Sequence, residues 1–356
     1  MKKKILVINP GSTSTKLSLY EDEKRIWEGG GHHPSKELSQ FRHVNEQYDY
    51  RKNFIIASLL KGGVPLKFDA VIARGGLMRP TPSGVYIVSE LMKHDLINAK
   101  LKHACNLGGV LADDIGHMSG CHGYIADPEV VDELMPMARY TGLPEIKRLS
   151  VFHALNSKAV SRRYAARTGK KYEELNLIVV HLGGGISISA HHHGKVIDVN
   201  NALNGDGPFG PERAGTLPAD QFAELCFSGK YTLEEVKKLI CGKGGLVALL
   251  GTNDIKDIVN KAANGEQPYK EVIDSMLYIT SKHVGAMAVT LTGKVDAIII
   301  TGGIANNEYS VKQISERVSF LGKIIVMPGE DEMGSLAYNA LGALNGTLPL
   351  MEYKPE

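Results

Sequence analysis

Residues Ile5 to Ser18 read ILVINPGSTSTKLS, and the fold follows from how this stretch is parsed. The apolar run Ile5 to Ile8 has the length and composition of a buried strand. Asn9, Pro10 and Gly11 break it as a turn. Ser12, Thr13, Ser14 and Thr15 then place hydroxyls and backbone N–H groups on a tight bend, Lys16 adds a cation, and Leu17 to Tyr20 begins a second strand. Convergent donors with no bulky side chain among them suit the oxygens of a phosphate. A plain hairpin turn uses the same residue types. The stretch alone leaves both readings open.

A second stretch repeats the grammar. Leu177 to Val199, LIVVHLGGGISISAHHHGKVIDV, runs strand, glycine turn, alternating strand, polar turn, strand, with Gly183, Gly184 and Gly185 where the hydroxyl bend stood. Another pair also matches: Asp69 to Gly76 (DAVIARGG) and Asp296 to Gly303 (DAIIITGG). Two unlike elements recurring in the same order argue for two similarly built halves. A strand ending in Gly-Gly lets backbone N–H groups approach a ligand, because no Cβ intervenes. Four such strand ends are expected to face one shared cleft suited to a nucleotide.

The bulk properties agree with an enzyme of two domains. At 356 residues the chain exceeds what one core usually supports. Charged residues make up 22% and the formal net charge is +2, so no basic track suggests nucleic acid. Lys2 to Lys4 is followed by too few aliphatic residues for a signal-peptide core, and no apolar run reaches membrane-spanning length. The cysteines at 105, 121, 226 and 241 show no C-x-x-C spacing and read as reduced thiols of a cytoplasmic protein.

Alternation of strands and helices predicts an α/β fold with mixed sheets. Helices are expected over 35–44, 49–61, 90–102, 107–118, 154–167, 222–227, 233–240, 272–291, 311–320 and 335–344. Strands are expected at 24–28, 68–73, 85–88, 124–126, 295–300 and 324–327, with the second half opening near Asn176.

Several residue types point to phosphate chemistry. The P-loop pattern is absent, so a nucleotide would be held otherwise. Gly205, Gly207 and Gly210 form G-x-G-x-x-G, but Pro208 interrupts it and no apolar strand precedes it, which excludes a dinucleotide fingerprint. Arg213 lies in the same loop. It is either solvated or a charge stabiliser for a transferring phosphoryl group, whose oxygens its planar fork matches. His153 and His181 abut strand ends, and His181 directly precedes the three glycines. His191 to His193 reads as a hairpin tip ending at Gly194, since consecutive strand residues face opposite ways and converge poorly on a metal. Asp127 either caps a helix over 128–134 or orients a Mg²⁺ ion and its water. Glu330, Asp331 and Glu332 are either an acidic helix start or metal ligands opposite Asn9.

Together these segments resemble the acetokinase family. Its opening N-x-G-S-x-S-x-K is here Asn9, Gly11, Ser12, Ser14 and Lys16, and its H-L-G-x-G is His181 to Gly185. Its Phe-His is Phe152-His153, its arginine loop holds Arg213, its adenosine loop is Thr301 to Asn306, and Asn253-Asp254 matches part of its nucleotide pocket. The resemblance implies the architecture of acetate and sugar kinases, actin and ATP-dependent chaperones. Two domains would each carry a ribonuclease-H-like core, a mixed five-stranded sheet with helices, and a nucleotide would lie in the cleft between them. Residues 1–150 would form the first domain, with 330–356 packing back on it, and 151–329 the second.

The implied activity is reversible, direct in-line transfer of the γ-phosphoryl group of ATP to a short-chain carboxylate. The short chain and the Gly75 to Gly84 segment resemble members acting on butyrate rather than acetate. Arg213, His181, His153 and Asp127 are the implied catalytic residues. ATP is implied at Asn9, Gly11, Ser12, Thr13, Ser14, Lys16, Gly183, Gly184, Gly185, Asp254, Gly302, Gly303, Ile304 and Asn306. Mg²⁺ is implied at Asn9 with Asp331 or Glu332. The family's His-Arg pair, whose arginine binds the substrate carboxylate, is not matched, and Arg74 and Arg79 both stand as replacements. A homodimer or larger homo-oligomer is also implied.

Overall fold

The structure, a computed structural model, describes residues 2–100 and 102–354. The chain divides into two compact units: Met1–Val131, Ala154–Asn156 and Asp331–Glu356 form one, and Asp132–His153 with Ser157–Glu330 the other. Residues 132–150 therefore group with the second unit, not the first. The reason is local bonding: Met135 N–H donates to the Ile197 carbonyl at 2.9 Å, and Arg148 Nη1 lies 2.8 Å from Asp198 Oδ1.

In the first unit the quoted stretch is β1 (Lys4–Pro10) and β2 (Ser14–Glu21), followed by β3 (Lys24–His32), β4 (Ala70–Arg74), β5 (Val85–Ile87) and β6 (Gly123–Ala126). β1, β2 and β3 pair antiparallel, β4 lies parallel to β1, and β6 parallel to β4. This core has the expected five strands. Two short ones extend it to seven: β5 runs antiparallel to β6, and β12 (Leu350–Met351) runs parallel to β5.

Alternation within β1 sends Leu6 and Ile8 to one face and Ile5 and Val7 to the other. The first pair packs with Ile55 and Leu59 of the helix Tyr48–Lys61 and Leu111 and Ile115 of the helix Asn106–Ser119. The second packs with Leu336 and Ala340 of the helix Glu332–Leu344. Cover on both faces is why the strand reads as an unbroken apolar run.

The second unit repeats the order. β7 (Asn176–Leu182), β8 (Ile186–His192) and β9 (Lys195–Val199) pair antiparallel, and β10 (Ala297–Gly302) lies parallel to both β7 and β11 (Lys323–Pro328). Ile178 and Val180 pack with Ile273, Met276 and Val284 of the helix Gln267–Thr290. Leu177 and Val179 pack with Val160 and Tyr164 of the helix Ala154–Thr168. Both sheets thus place a glycine- or hydroxyl-rich turn after their first strand. Gly302 closes β10 at φ +89, where a Cβ would fall 2.4 Å from the Leu182 carbonyl oxygen. Only glycine fits that approach. Among the described residues no helix is long and apolar enough to cross a membrane.

Two local expectations are corrected. The helix over 35–44 shrinks to Ser35–Leu38; beyond it Phe41 N–H bonds Leu38 O, a tighter i, i+3 turn, and Arg42 N–H is taken by Glu46 Oε2. No helix forms over 128–134. Asp127 instead adopts φ +40 and accepts from Ser83 Oγ at 2.6 Å and Gly84 N–H at 2.9 Å. The histidine run turns at His193-Gly194, both at positive φ, while His191 is fully buried against Tyr172 and Ser189.

His33 predicts an acid-sensitive limb of stability. It is buried, 2.8 Å from Thr15 Oγ1 and 3.2 Å from Tyr50. Burial, then the Arg51 charge, lowers its pKa from 6.5 to about 4. The unfolded chain therefore binds a proton that the folded chain refuses as pH falls from about 6.5 toward 4, and stability is lost across that window. His191 and His283 shift the same way. The urea midpoint should fall between pH 7 and pH 5, and His33→Gln should flatten that dependence.

Candidate functional site

In the first unit the turn after β1 is held closed by Gly11 N–H donating to Ser14 O at 2.8 Å. Ser12 and Thr13 are exposed, as is Lys16, which is paired in register with Asn9. Ser12 Oγ lies 3.2 Å from His103 Nε2. Asn9, at the end of β1, is buried, and its Nδ2 donates to Glu332 Oε2 at 2.6 Å. Arg74, at the end of β4, reaches the same carboxylate: its Nη1 is 2.8 Å from Glu332 Oε1 and its Nε 2.6 Å from Glu129 Oε1. Asn9, Arg74, Glu129 and Glu332 therefore form one cluster.

Asp331 points elsewhere. It caps the helix Glu332–Leu344 by accepting from Gly334 N–H at 2.9 Å. Arg79 is also apart, with its Nε 2.5 Å from Asp95 and its guanidinium 5.4 Å from the Tyr353 ring centre. Tyr353 OH donates to Asp95 at 2.7 Å, so Arg79 helps anchor the C-terminal segment. Of the two arginines offered for the substrate, Arg74 is the one joined to Asn9 and Glu332.

In the second unit His181, the penultimate residue of β7, is fully buried, with its ring stacked on that of His153 at 3.7 Å and an interplanar angle of 6°. His181 Nε2 lies 2.9 Å from Glu330 Oε1, and His153 Nδ1 2.9 Å from Ser187 Oγ. Gly183 leaves little room beside this pair: a Cβ there would sit 3.2 Å from His181 Nε2 and 3.5 Å from Glu330 Oε1. Gly185 lies against Arg213, whose Cγ would be 3.6 Å from a Cβ at that position. Arg213 Nη1 donates to the Glu212 carbonyl at 3.1 Å, while its buried Nε has no hydrogen-bond partner among the described residues.

Gly183 and Gly184 open onto a cavity of about 750 Å³ that also presents Glu212, Asn253, Lys256, Gly303, Ile304, Asn306 and Glu330. That volume suits a nucleotide-sized ligand. Asp254 caps the helix Ile255–Ala263, accepting from Lys256 N–H at 2.9 Å and Asp257 N–H at 3.1 Å. Asn253 Nδ2 donates to Glu212 Oε1 at 2.7 Å, and Asn306 Nδ2 to Gly303 O at 2.9 Å. Gly302, which makes the close approach to Leu182, directly precedes Gly303 of this lining.

Sequence reasoning missed Glu129, Glu212 and Lys256. Glu129 follows Asp127-Pro128 by one residue, and Glu212 directly precedes Arg213. Each stands within two residues of one singled out for its chemistry, and for Glu212 an acid adjacent to a candidate cation was the available signal.

The comparisons place the chain. The acetokinase family matches residues 137–329. A protein of Phocaeicola vulgatus, described as a probable butyrate kinase, is 66% identical over 99% of this chain and 100% of its own. Butyrate kinase 2 of Clostridium acetobutylicum is 48% identical over 99% of this chain and all of its own. The solved acetate kinase of Porphyromonas gingivalis aligns with a TM-score of 0.79 at 21% identity, covering 96% of this chain and 100% of that one. The fold is that of the actin-like ATPases, with ribonuclease-H-like cores. The chain belongs to the acetokinase family.

Proposed function

We propose that the chain transfers the γ-phosphoryl group of ATP reversibly to butyrate, or a closely related short or branched acid, forming the acyl phosphate. One observation carries the choice of a carboxylate acceptor. Asp127, the residue a sugar kinase would need as base, is buried at φ +40 with its carboxylate accepting from Ser83 and Gly84. A carboxylate is ionised at neutral pH and needs no base; it needs positioning and charge cancellation. Full-length likeness to proteins named butyrate kinase supports butyrate itself.

In this reading the cavity of the second unit takes the nucleoside, with Asp254, Gly302, Gly303, Ile304 and Asn306 around it. Gly184 and Gly185 offer N–H groups to the phosphates, while Gly183, whose N–H is taken by the Gly185 carbonyl at 3.1 Å, shapes the turn without a side chain. Arg213, through the unused Nε donor, and His181 with His153 behind it, offset the charge on the equatorial oxygens. The turn Asn9 to Lys16 supplies further phosphate donors, and Arg74 holds the acid's carboxylate. Asp127 acts by fixing the Ser83-Gly84 backbone beside β6.

Asn9 and Glu332 offer an amide and a carboxylate in contact, a set of hard donors that suits Mg²⁺, which is held by one or two carboxylates together with phosphates and water. Bound there, Mg²⁺ would neutralise phosphate charge. Asp331, committed to its helix cap, is the weaker ligand of the two acids. Cytoplasmic location and homo-oligomeric assembly belong to the same reading. The helix Ala219–Phe227 buries no residue and Phe227 is 92% exposed, which supports a self-association face.

The test is hydroxylamine trapping with ATP, Mg²⁺ and acetate, propionate, butyrate, isobutyrate or valerate. Hydroxamate should form fastest with butyrate. None from any acid would eliminate the reading; a faster acid would change only the substrate.

A further inference from the structure

Arg51, on the helix Tyr48–Lys61, is fully buried. Its five N–H donors are all used. Nε and Nη2 each donate to Gln47 Oε1 at 3.0 Å, Nη1 to the Ser14 carbonyl and Thr15 Oγ1 at 3.0 Å, and Nη2 to the Ser12 carbonyl at 3.2 Å. All of these acceptors are neutral. Burying a cation without a counter-charge is costly, and neutral hydrogen bonds offset only part of that cost.

The carbonyls it engages belong to the turn after β1. The Thr13 carbonyl is also held, by His33 N–H at 2.8 Å. In a planar trans peptide the N–H points opposite to the C=O. Holding the Ser12 carbonyl toward Arg51 therefore turns the Thr13 N–H away from it. The N–H groups of Ser12 and Thr13 donate to nothing among the described residues. A buried positive charge thus lies beside an exposed turn with two unused backbone donors, an arrangement that attracts an anion.

We propose that Arg51 is a positioning residue for the nucleotide phosphates. It holds the Ser12 and Ser14 carbonyls so that the turn's N–H groups stay presented, and the bound phosphates supply the counter-charge it lacks. This rests on the reading of residues 9–16 as a phosphate loop. His33, bonded to the same Thr15 hydroxyl, stays neutral at working pH and adds no second charge.

The test uses the full chain with steady-state kinetics, ATP and butyrate being varied separately. Arg51→Lys keeps the charge but not the fork, and should raise the KM for ATP about tenfold, the size of one charge-assisted hydrogen bond. The KM for butyrate should stay unchanged. A purely structural Arg51 would lower thermal stability and active fraction while leaving both KM values alone, which overturns the proposal. Gln47→Met loosens Arg51 without touching the turn. Should Arg51→Lys not fold, it serves instead: about a threefold rise in the KM for ATP is expected, and none overturns the proposal. Ser12→Ala separates the two readings. If it changes the KM for ATP while the folded Arg51 variant does not, only the role of Arg51 falls. If neither variant changes it, the phosphate-loop reading falls as well.

Discussion

Replacing Arg213 by alanine should lower kcat about a thousandfold while changing the KM for ATP only a few-fold, the signature of an arginine that acts on the transferring phosphoryl group. The geometry supports the split. The aliphatic stem lies against Gly185, the guanidinium is anchored through Nη1 on the Glu212 carbonyl at 3.1 Å, and its buried Nε donor is unused. A donor left unused in the protein is available to charge that develops during transfer. The nucleoside cavity is lined by other residues, so binding of ATP should largely survive. Arg213→Lys restores the charge but not the planar fork and should recover only part of the loss. Arg213 is partly exposed and is not part of the apolar clusters, so the thermal midpoint should barely move. Wild-type turnover in the alanine variant would remove Arg213 from the mechanism.

What could be read from sequence was what local pattern encodes. Ile5 to Ile8, Leu177 to Val180 and Ile298 to Ile300 are continuous apolar runs because both faces of each sheet are covered, and the repeat showed because each half must put a turn of small residues after its first strand. One short edge strand was harder. β12 is two residues long and joins a strand far away in the chain. The site's polar contacts were only partly legible for the same reason. Asn9 and Glu332, which meet across 323 positions, were brought together only as candidate ligands of one metal, and Arg51, which meets Ser12 across 39, was not singled out. No spacing rule links such residues. Asp127 was half legible: Asp-Pro is a good helix start, but its positive φ turns the chain aside, and its carboxylate serves Ser83 and Gly84 instead.

Lys158→Met should destabilise the second unit by about 3–5 kcal/mol, the usual cost of removing one partner from a buried ion pair. Lys158 is 1% exposed. Its Nζ donates to Glu133 Oε2 at 2.7 Å and to the Gly194 carbonyl at 2.8 Å, and lies 5.6 Å from the Tyr172 ring centre. Glu133 Oε2 also accepts from Val196 N–H at 2.7 Å, so this pair pins the turn between β8 and β9 from beneath. Methionine keeps the length but leaves a buried carboxylate without its cation and removes a donor from the Gly194 carbonyl. Glu133→Met added to Lys158→Met should restore part of the loss, because the uncompensated charge goes with it, although Val196 N–H stays unserved. The readout is urea unfolding followed by far-UV circular dichroism. The single tryptophan, Trp27, lies in the first unit on β3, so its fluorescence should report little of the change. Equal losses in the single and double variants would show that packing, not charge, holds this hairpin.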